Sequence, residues 1–384
     1  MTDNANEPYG PRCQICGGRQ GSTHLVREMM FGLRHRFAYF LCDRCDCLQL
    51  TQPPADYSDY YPAGQYYAHD EAAPPASPPS MVPRRWLKRR RDAALLFRSG
   101  GIFQRVARRF PNPGIADLAA MLAAHPAAGY EMKILDVGCG NGHLLYRLEQ
   151  LGFESLTGVD PYLPHGRTSA SRSSESHSSS AVRLHAQSLE SLPAEDPYDL
   201  IMMHHAFEHM PEPLEALRHV RQRLTPTGQC YIRIPIVSQG PWQQFGVDWA
   251  EIDAPRHFFL HSERSMQTLA AEAGLRVVRI DYESDAFTYA ASELYRRDIP
   301  LRDADAPGAT LQSRFSAEQW AGFERAAQRD RRPGWAGRAA FTLALGSSAA
   351  PAADQQVADQ QVADQQVAGQ QAAGQQSSDV AGHR

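Results

Sequence analysis

Between residues 134 and 235, apolar runs and amphipathic runs take turns. Residues 134–137 are a short apolar strand that ends in a glycine turn and feeds a helix over 143–151. Residues 156–159 make a second apolar strand, closed by the acid Asp160, and 182–186 a third. The run Tyr198-Asp199-Leu200-Ile201-Met202-Met203-His204-His205 reads as a strand buried on both faces. Residues 213–224 carry helical spacing and stop at Thr225-Pro226-Thr227-Gly228, after which 229–235 predict a fifth strand. Strands that alternate with helices predict a parallel, doubly wound sheet with ligands at the carboxyl ends of the strands. Further on, 262–274 predict a helix and 275–280 a sixth strand. The last strand is expected at 339–345, with 287–291 as its rival. Residues 291–300 and a helix over 316–329 are expected to pack over the sheet as an acceptor lid within 282–332.

The pattern changes outside this block. Residues 1–70 carry paired cysteines and a tyrosine cluster, and 71–129 begin with a proline-rich linker (Pro74, Pro75, Pro78, Pro79, Pro83). A basic helix or helix pair then covers 84–110, broken at Ser99-Gly100-Gly101, with a short helix over 117–124. The main domain is expected over 130–346. Residues 163–180, serine-rich and low in apolar content, predict a surface loop between the second and third strands. From 347 to 384 a five-residue repeat, Ala-Asp-Gln-Gln-Val, predicts a disordered tail.

Composition narrows the class. The 384 residues carry 39 basic and 43 acidic side chains, a net charge of −4, so no global charge draws the chain to nucleic acid. The first residues lack a basic start and an apolar core, and no apolar run reaches the ~20 residues of a bilayer span. These features predict a cytoplasmic protein without a transmembrane segment. Cys13-x-x-Cys16 and Cys42-x-x-Cys45 have the spacing of two zinc knuckles, and four thiolates suit a closed, structural tetrahedral Zn²⁺. Cys47 could substitute for Cys45 in another register. Cys139 and Cys230 read as small buried residues.

The sharpest motif is Asp136-Val137-Gly138-Cys139-Gly140-Asn141-Gly142. Alternate glycines let the backbone approach a ligand closely. A dinucleotide fingerprint would need its third glycine at His143, so that reading fails. The motif instead resembles motif I of the class I S-adenosylmethionine (SAM) methyltransferases, and the order of elements over 134–235 is similar to that family. The resemblance implies a seven-stranded, mostly parallel Rossmann-like sheet. It implies a SAM site of Asp136, Gly138, Gly140, Gly142, Asp160, Gln187, Ser188 and His204, with Asp160 on the ribose and Gln187-Ser188 near adenine. The four-cysteine module ahead of such a domain resembles sugar C-methyltransferases and methyltransferases linked to polysaccharide biosynthesis. In that light Tyr57, Tyr60, Tyr61, Tyr66, Tyr67 and His69 are expected at the acceptor pocket or in a packing patch.

Methyl transfer to oxygen needs near-attack geometry and commonly a group that removes a proton. Glu208 and His209 resemble the Glu-His that follows the fourth strand in the family, and His205 and His261 flank the same mouth. His257 lies in Pro255-Arg256-His257, where the sugar C-methyltransferases carry His-Glu-His. Glu208, His209 and His257 are therefore the catalytic candidates. Arg256 could meet a phosphate of a sugar nucleotide or lipid-linked glycan, or sit in a structural ion pair. The run 84–91, with Arg84, Arg85, Lys88, Arg89, Arg90 and Arg91, could touch anionic lipid, bind nucleic acid or be a solvated face.

The leading expectation is methylation of a sugar hydroxyl, with a small-molecule or glycan acceptor. The rivals are C-methylation of a nucleotide-linked keto-sugar, O-methylation of a quinone-like metabolite, a nucleic-acid-binding zinc module, and a SAM-binding protein without catalysis.

Overall fold

The computed structural model describes residues 11–62, 82–97, 101–110, 115–122, 125–126, 128–163, 180–193, 197–302 and 309–346. Pro74, Pro75, Pro78 and Pro79 of the linker, Tyr66, Tyr67, His69, nearly all of the serine-rich insert and the repeat tail lie outside them, while Pro83 falls within a helix.

The strands that follow the N-terminal module are β4 (Lys133–Val137), β5 (Ser155–Val159), β6 (Val182–His185), β7 (Tyr198–His204), β8 (Leu224–Pro235), β10 (Leu275–Glu283) and β11 (Arg338–Leu345). They form one sheet in the order β10-β11-β8-β7-β4-β5-β6. The five strands from β6 to β8 are parallel, and β11 runs antiparallel to both neighbours. Successive residues serve opposite layers, as the pleat requires. Leu135, Ile201 and Met203 enter a core with Leu217 and Val220 of α5 (Pro213–Arg223) and Met266 and Leu269 of α7 (Glu263–Glu272). Ile134, Leu200 and Met202 enter the opposite core, with Leu145 and Leu148 of α4 (His143–Leu151) and Leu118 and Met121 of α3 (Ala116–Leu122). α7 starts where expected because Ser262 caps it, accepting from the Ser265 N–H at 3.0 Å.

Two boundaries differ from the sequence pattern. β8 starts at Leu224 and runs straight through Thr225-Pro226-Thr227-Gly228, with a register irregularity opposite Tyr198 and Leu200. A side chain on Gly228 would meet the Tyr198 carbonyl at 2.8 Å, so this stretch is an irregular part of the strand rather than a stop. The rival for the last strand, 287–291, lies inside helix α8 (Ala286–Arg296), capped by Asp285.

The N-terminal residues build a second sheet of β1 (Gly21–Arg27), β2 (Arg36–Cys42) and β3 (Leu48–Leu50). Its fourth strand, β9 (Phe259–Leu260), comes from the segment after β8. Residues 256–262 are therefore stitched into both parts. The Tyr39 hydroxyl donates to the His257 carbonyl (2.8 Å), the Leu50 N–H to the Phe258 carbonyl (2.8 Å) and the Ser262 hydroxyl to the Cys45 carbonyl (2.6 Å). On the other side the Val237 N–H reaches the His261 carbonyl at 2.8 Å. α8 and α9 (Ala317–Asp330) close this unit. Tyr289 and Ala327 pack with Val26, Tyr39 and Trp249, while Ala291, Leu294 and Tyr295 pack with Met29 and Ala250. The helices of the expected lid thus pack on the N-terminal strands and the 245–254 segment.

The basic region is a pair of helices, α1 (Val82–Leu96) and α2 (Ile102–Arg109), and it leaves Leu87, Ile102, Val106 and Phe110 exposed.

Arg256 is fully buried at the junction. Its Nε and Nη2 donate to Asp253 at 2.8 and 2.5 Å, its Nη2 to Glu28 at 3.0 Å and its Nη1 to the Tyr60 carbonyl at 3.1 Å. The guanidinium also lies 5.4 Å from the centre of the Phe31 ring. This corrects the phosphate expectation, because every face of the fork is committed inside the protein. Breaking such a cluster strands two buried carboxylates. Arg256→Met is expected to lower unfolding free energy by about 3–5 kcal/mol, read from urea unfolding. A loss below about 1 kcal/mol would show that the cluster does not hold the two parts together.

Candidate functional site

The site is built at the carboxyl ends of β4 to β8. Gly138, Gly140 and Gly142 all take left-handed backbone, with φ of 74°, 51° and 74°. The Gly138 N–H bonds the Val159 carbonyl at 2.8 Å, which pulls the turn against β5. A Cβ on Gly138 would lie 2.5 Å from that of Ala206, and one on Gly142 would lie 3.0 Å from Leu184. The turn is thus a side-chain-free cradle between β7 and β6. Asp160 braces it, accepting from the Gly140 N–H (3.0 Å) and the Tyr162 N–H (2.8 Å). Each oxygen keeps a lone pair for a ligand hydroxyl. Asp136 lies beneath, and burial together with the charge of Asp160 raises its carboxyl to about 7.

Gln187 and Ser188 follow β6 and are half-buried, with the Ser188 hydroxyl 3.3 Å from that of Ser191. His204 ends β7 beside Tyr231, with ring centres 5.4 Å apart. Its Nε2 is buried without a hydrogen-bond partner among the described residues. Burial, and then the charge of Arg233, lowers its pKa to about 4.

Beyond His204 the chain turns sharply through His205, a left-handed residue with φ of 51°, and presents Glu208 and His209 on one helical turn, Phe207–His209. The loop after β8 turns at Asp253, also left-handed at φ of 44°, and presents Arg256 and His257. Such residues gather where surrounding contacts over-determine the backbone. The two turns bring Glu208, His209 and His257 together, with one ligating atom from each within 4.8 Å of the others. The imidazoles of His209 and His257 meet edge to face at 4.6 Å. Burial alone would raise the Glu208 carboxyl. The hydrogen bond from His205 (3.2 Å) and the nearby His257 and His209 outweigh it and hold the group at about 2.

The tyrosines cover this cluster. The Tyr61 hydroxyl is 3.4 Å from His209 Nδ1, and its ring stacks on Tyr162 at 6.3 Å. Tyr57 packs on Tyr61 and Phe258, while Tyr60 packs on Phe37 and joins His35 at 2.9 Å. Tyr57 and Tyr61 thus wall the mouth, and Tyr60 is packing.

Sequence reasoning missed a polar row beside the cluster. His205 Nε2 lies 3.0 Å from Arg233 Nη1, and Arg233 pairs with Glu283 at 2.5 Å. Arg338 pairs with Asp285 and lies 3.5 Å from Glu251. Arg233, Glu283, Ser284, Asp285 and Arg338 line a cleft of about 320 Å³. Arg233 within the buried apolar run of β8 was the available signal, while Glu283 ends a strand, β10, that already alternates with charge.

Cys13, Cys16, Cys42 and Cys45 bring their sulfurs within 4.8 Å of one another, and Cys47 is not among them. The pairs Cys13–Cys45 and Cys16–Cys42 are 3.6 and 3.5 Å apart, close to the ~3.8 Å edge of a tetrahedron with 2.3 Å bonds. The two knuckles repeat one loop. The Gly17 N–H reaches the Cys13 carbonyl at 2.9 Å, and the Asp46 N–H reaches Cys42 at 2.8 Å, with both residues left-handed. The four thiols could hold one Zn²⁺ with no position left open.

The profile of a methyltransferase-domain family matches residues 103–280. The chain carries a class I methyltransferase domain. A ubiquinone biosynthesis O-methyltransferase of Xanthomonas campestris pv. campestris is 33% identical over 123 residues, which are 32% of this chain and 48% of that protein. A tRNA U34 carboxymethyltransferase of Shewanella oneidensis is 27% identical over 107 residues, 27% of this chain and 32% of that protein. The chain thus spans less than half the length of these curated relatives. The structure of Burkholderia thailandensis 1,6-didemethyltoxoflavin-N1-methyltransferase, with bound S-adenosylhomocysteine, covers 73% of this chain and 98% of its own at 14% identity, with a TM-score of 0.37. The methyltransferase domain takes SAM as cofactor, and the glycine cradle, Asp160 and the orphaned Nε2 of His204 fit such a ligand. No helix among the described residues is long and apolar enough to cross a membrane.

Three buried histidines in the domain set its acid response. Burial lowers His204 and His257 to about 4 and His261 to about 3, against an ordinary 6.5. The unfolded chain therefore binds more protons below pH 6.5, so stability is full above that value and falls as pH drops. Glu208, held at about 2, adds to the loss below its ordinary 4.5. Asp136, raised to about 7, and Glu251, also raised by burial, act in the opposite sense. The thermal midpoint is expected to fall steadily from pH 6.5 to 4.5. A midpoint that holds or rises on acidification contradicts this assignment.

Proposed function

We propose that the chain transfers a methyl group from SAM to a hydroxyl oxygen of a sugar in a glycan, glycolipid or sugar-nucleotide pathway. The polar cleft that Arg233 joins to His205 carries this reading. Arg233, Glu283, Ser284, Asp285 and Arg338 offer donors and acceptors at fixed positions, which suits a ring bearing several hydroxyls. A lipophilic acceptor would desolvate those charges with nothing in return.

In this reading Gly138, Gly140 and Gly142 give the cofactor's amino-acid end access to backbone, and Asp160 accepts from its ribose hydroxyls. Gln187 and Ser188 flank the base, and Asp136 and His204 complete the wall. When bound, SAM supplies an electrophilic methyl on a sulfonium. Tyr57 and Tyr61 hold a face of the acceptor ring. Glu208, His209 and His257 line the place where the acceptor hydroxyl gives up its proton. The oxygen's electron pair forms the new C–O bond, and the pair of the broken C–S bond stays on sulfur. Cys13, Cys16, Cys42 and Cys45 hold a structural Zn²⁺ that keeps the loop bearing His257 in place.

A second reading is methylation of a phenolic hydroxyl on a quinone-like ring. The names of the ubiquinone biosynthesis relatives support it.

Methyl-labelled SAM supplied to the protein with fractionated extract separates the two. Label is expected in a glycan or sugar-nucleotide fraction, lost in Asp136→Ala and reduced at least tenfold in Gly138→Ala, whose new Cβ closes the cradle against Ala206. Label in a small lipophilic product moves the assignment to the quinone-type acceptor. A C-methylated sugar moves it to carbon transfer, and no label in any fraction contradicts both oxygen readings.

A further inference from the structure

The Glu208–His209–His257 cluster has a feature that a proton-abstracting histidine does not need. Both imidazoles are fixed from behind by backbone. His209 Nδ1 lies 2.9 Å from the Arg256 carbonyl, and His257 Nδ1 lies 2.8 Å from the Glu251 carbonyl. A carbonyl only accepts, so each Nδ1 carries the proton and each Nε2 presents a lone pair. The Tyr61 hydroxyl, at 3.4 Å, is the longer contact to His209. A ring locked through Nδ1–H to a carbonyl is the arrangement in which histidine ligates metal.

Glu208 supplies the second observation. Its side chain is fully buried, and only Oε1 is engaged, by His205 at 3.2 Å. Oε2 is buried with no hydrogen-bond partner among the described residues. A buried carboxylate oxygen left in this state calls for a cation or a donor. The carboxylate is itself held from behind, since His205 bonds Arg233 and Arg233 bonds Glu283.

We propose that Glu208, His209 and His257 bind a divalent first-row cation, separate from the thiolate site of the zinc knuckles. Two imidazoles and one carboxylate suit Zn²⁺, Fe²⁺ or Mn²⁺. Three protein ligands leave coordination positions open, whereas four thiolates leave none. The ligating atoms, within 4.8 Å of one another, must draw together slightly around an ion with bonds of about 2.1 Å. At an open position the cation would bind a hydroxyl oxygen of the acceptor and lower its pKa, so that the proton would pass to water at neutral pH. What the ion does rests on the methyl-transfer reading above; that it binds does not.

Equilibrium dialysis of the full chain against micromolar ZnCl₂, with bound metal measured by mass spectrometry, tests the site. Two Zn²⁺ per chain are expected in the native protein and one in His257→Ala, His209→Ala and Glu208→Gln. Calorimetric binding of S-adenosylhomocysteine, run on the same samples, serves as the folding control. One Zn²⁺ per native chain, or two in all three folded variants, overturns the cation site. Two Zn²⁺ without binding of S-adenosylhomocysteine leaves the cation site standing and overturns the methyltransferase reading. S-adenosylhomocysteine binding with a single Zn²⁺ does the reverse.

Discussion

The placement of Glu208, His209 and His257 hangs on one buried guanidinium. Arg256 joins Glu28 of the N-terminal sheet, the backbone of Tyr60 and its own loop through Asp253. Its carbonyl then orients His209, and the next residue is His257. The charge is costly to bury, and only the two carboxylates together repay it. The benefit is placement, because a single side chain fixes the tyrosine segment, the N-terminal strands and the histidine pair relative to one another. A loop held only by apolar packing would leave the imidazoles free to turn, and their Nδ1 contacts would not be set.

The cysteine knuckles belong to the same construction. Their cysteines enter the apolar core that α5 and α7 form against the sheet, and β3 borrows β9 from the methyltransferase segment. The N-terminal residues are therefore part of the wall of the site, through Tyr39, Tyr57 and Tyr61, rather than an appendage to it. The cofactor side needs none of this, since the glycine cradle is braced by β5, β6 and β7 alone.

That division explains what could be read from sequence. The cradle, Asp160 and the alternating elements over 134–235 are local patterns, in which apolar blocks of strand length are punctuated by glycine and an acid. The four cysteines were legible for the same reason, since each pair carries its own spacing, and the structure decides only that Cys45 and not Cys47 joins them. The surroundings of the histidine cluster are made of long-range pairings. Arg256 finds Glu28 across 228 positions, and no local pattern separates an arginine aimed at phosphate from one aimed at a buried acid. β9 is two residues long, too short for periodicity, and exists because β3 has an unpaired edge. The start of β8 was hidden because Thr-Pro-Thr-Gly has the chemistry of a turn, and these four residues bulge between the pairs Tyr198–Leu224 and Leu200–Gln229.

The most direct test of this account is amide hydrogen exchange in the native chain and in Cys13→Ser, which leaves the knuckle thiols free of metal. The account predicts that residues 48–50, 253–262 and 205–209 lose protection together, while β4, β5 and the glycine turn keep theirs and the cofactor still binds. Retained protection over 253–262 with the thiols free would contradict it, since the N-terminal module would then not be what holds the histidines in place.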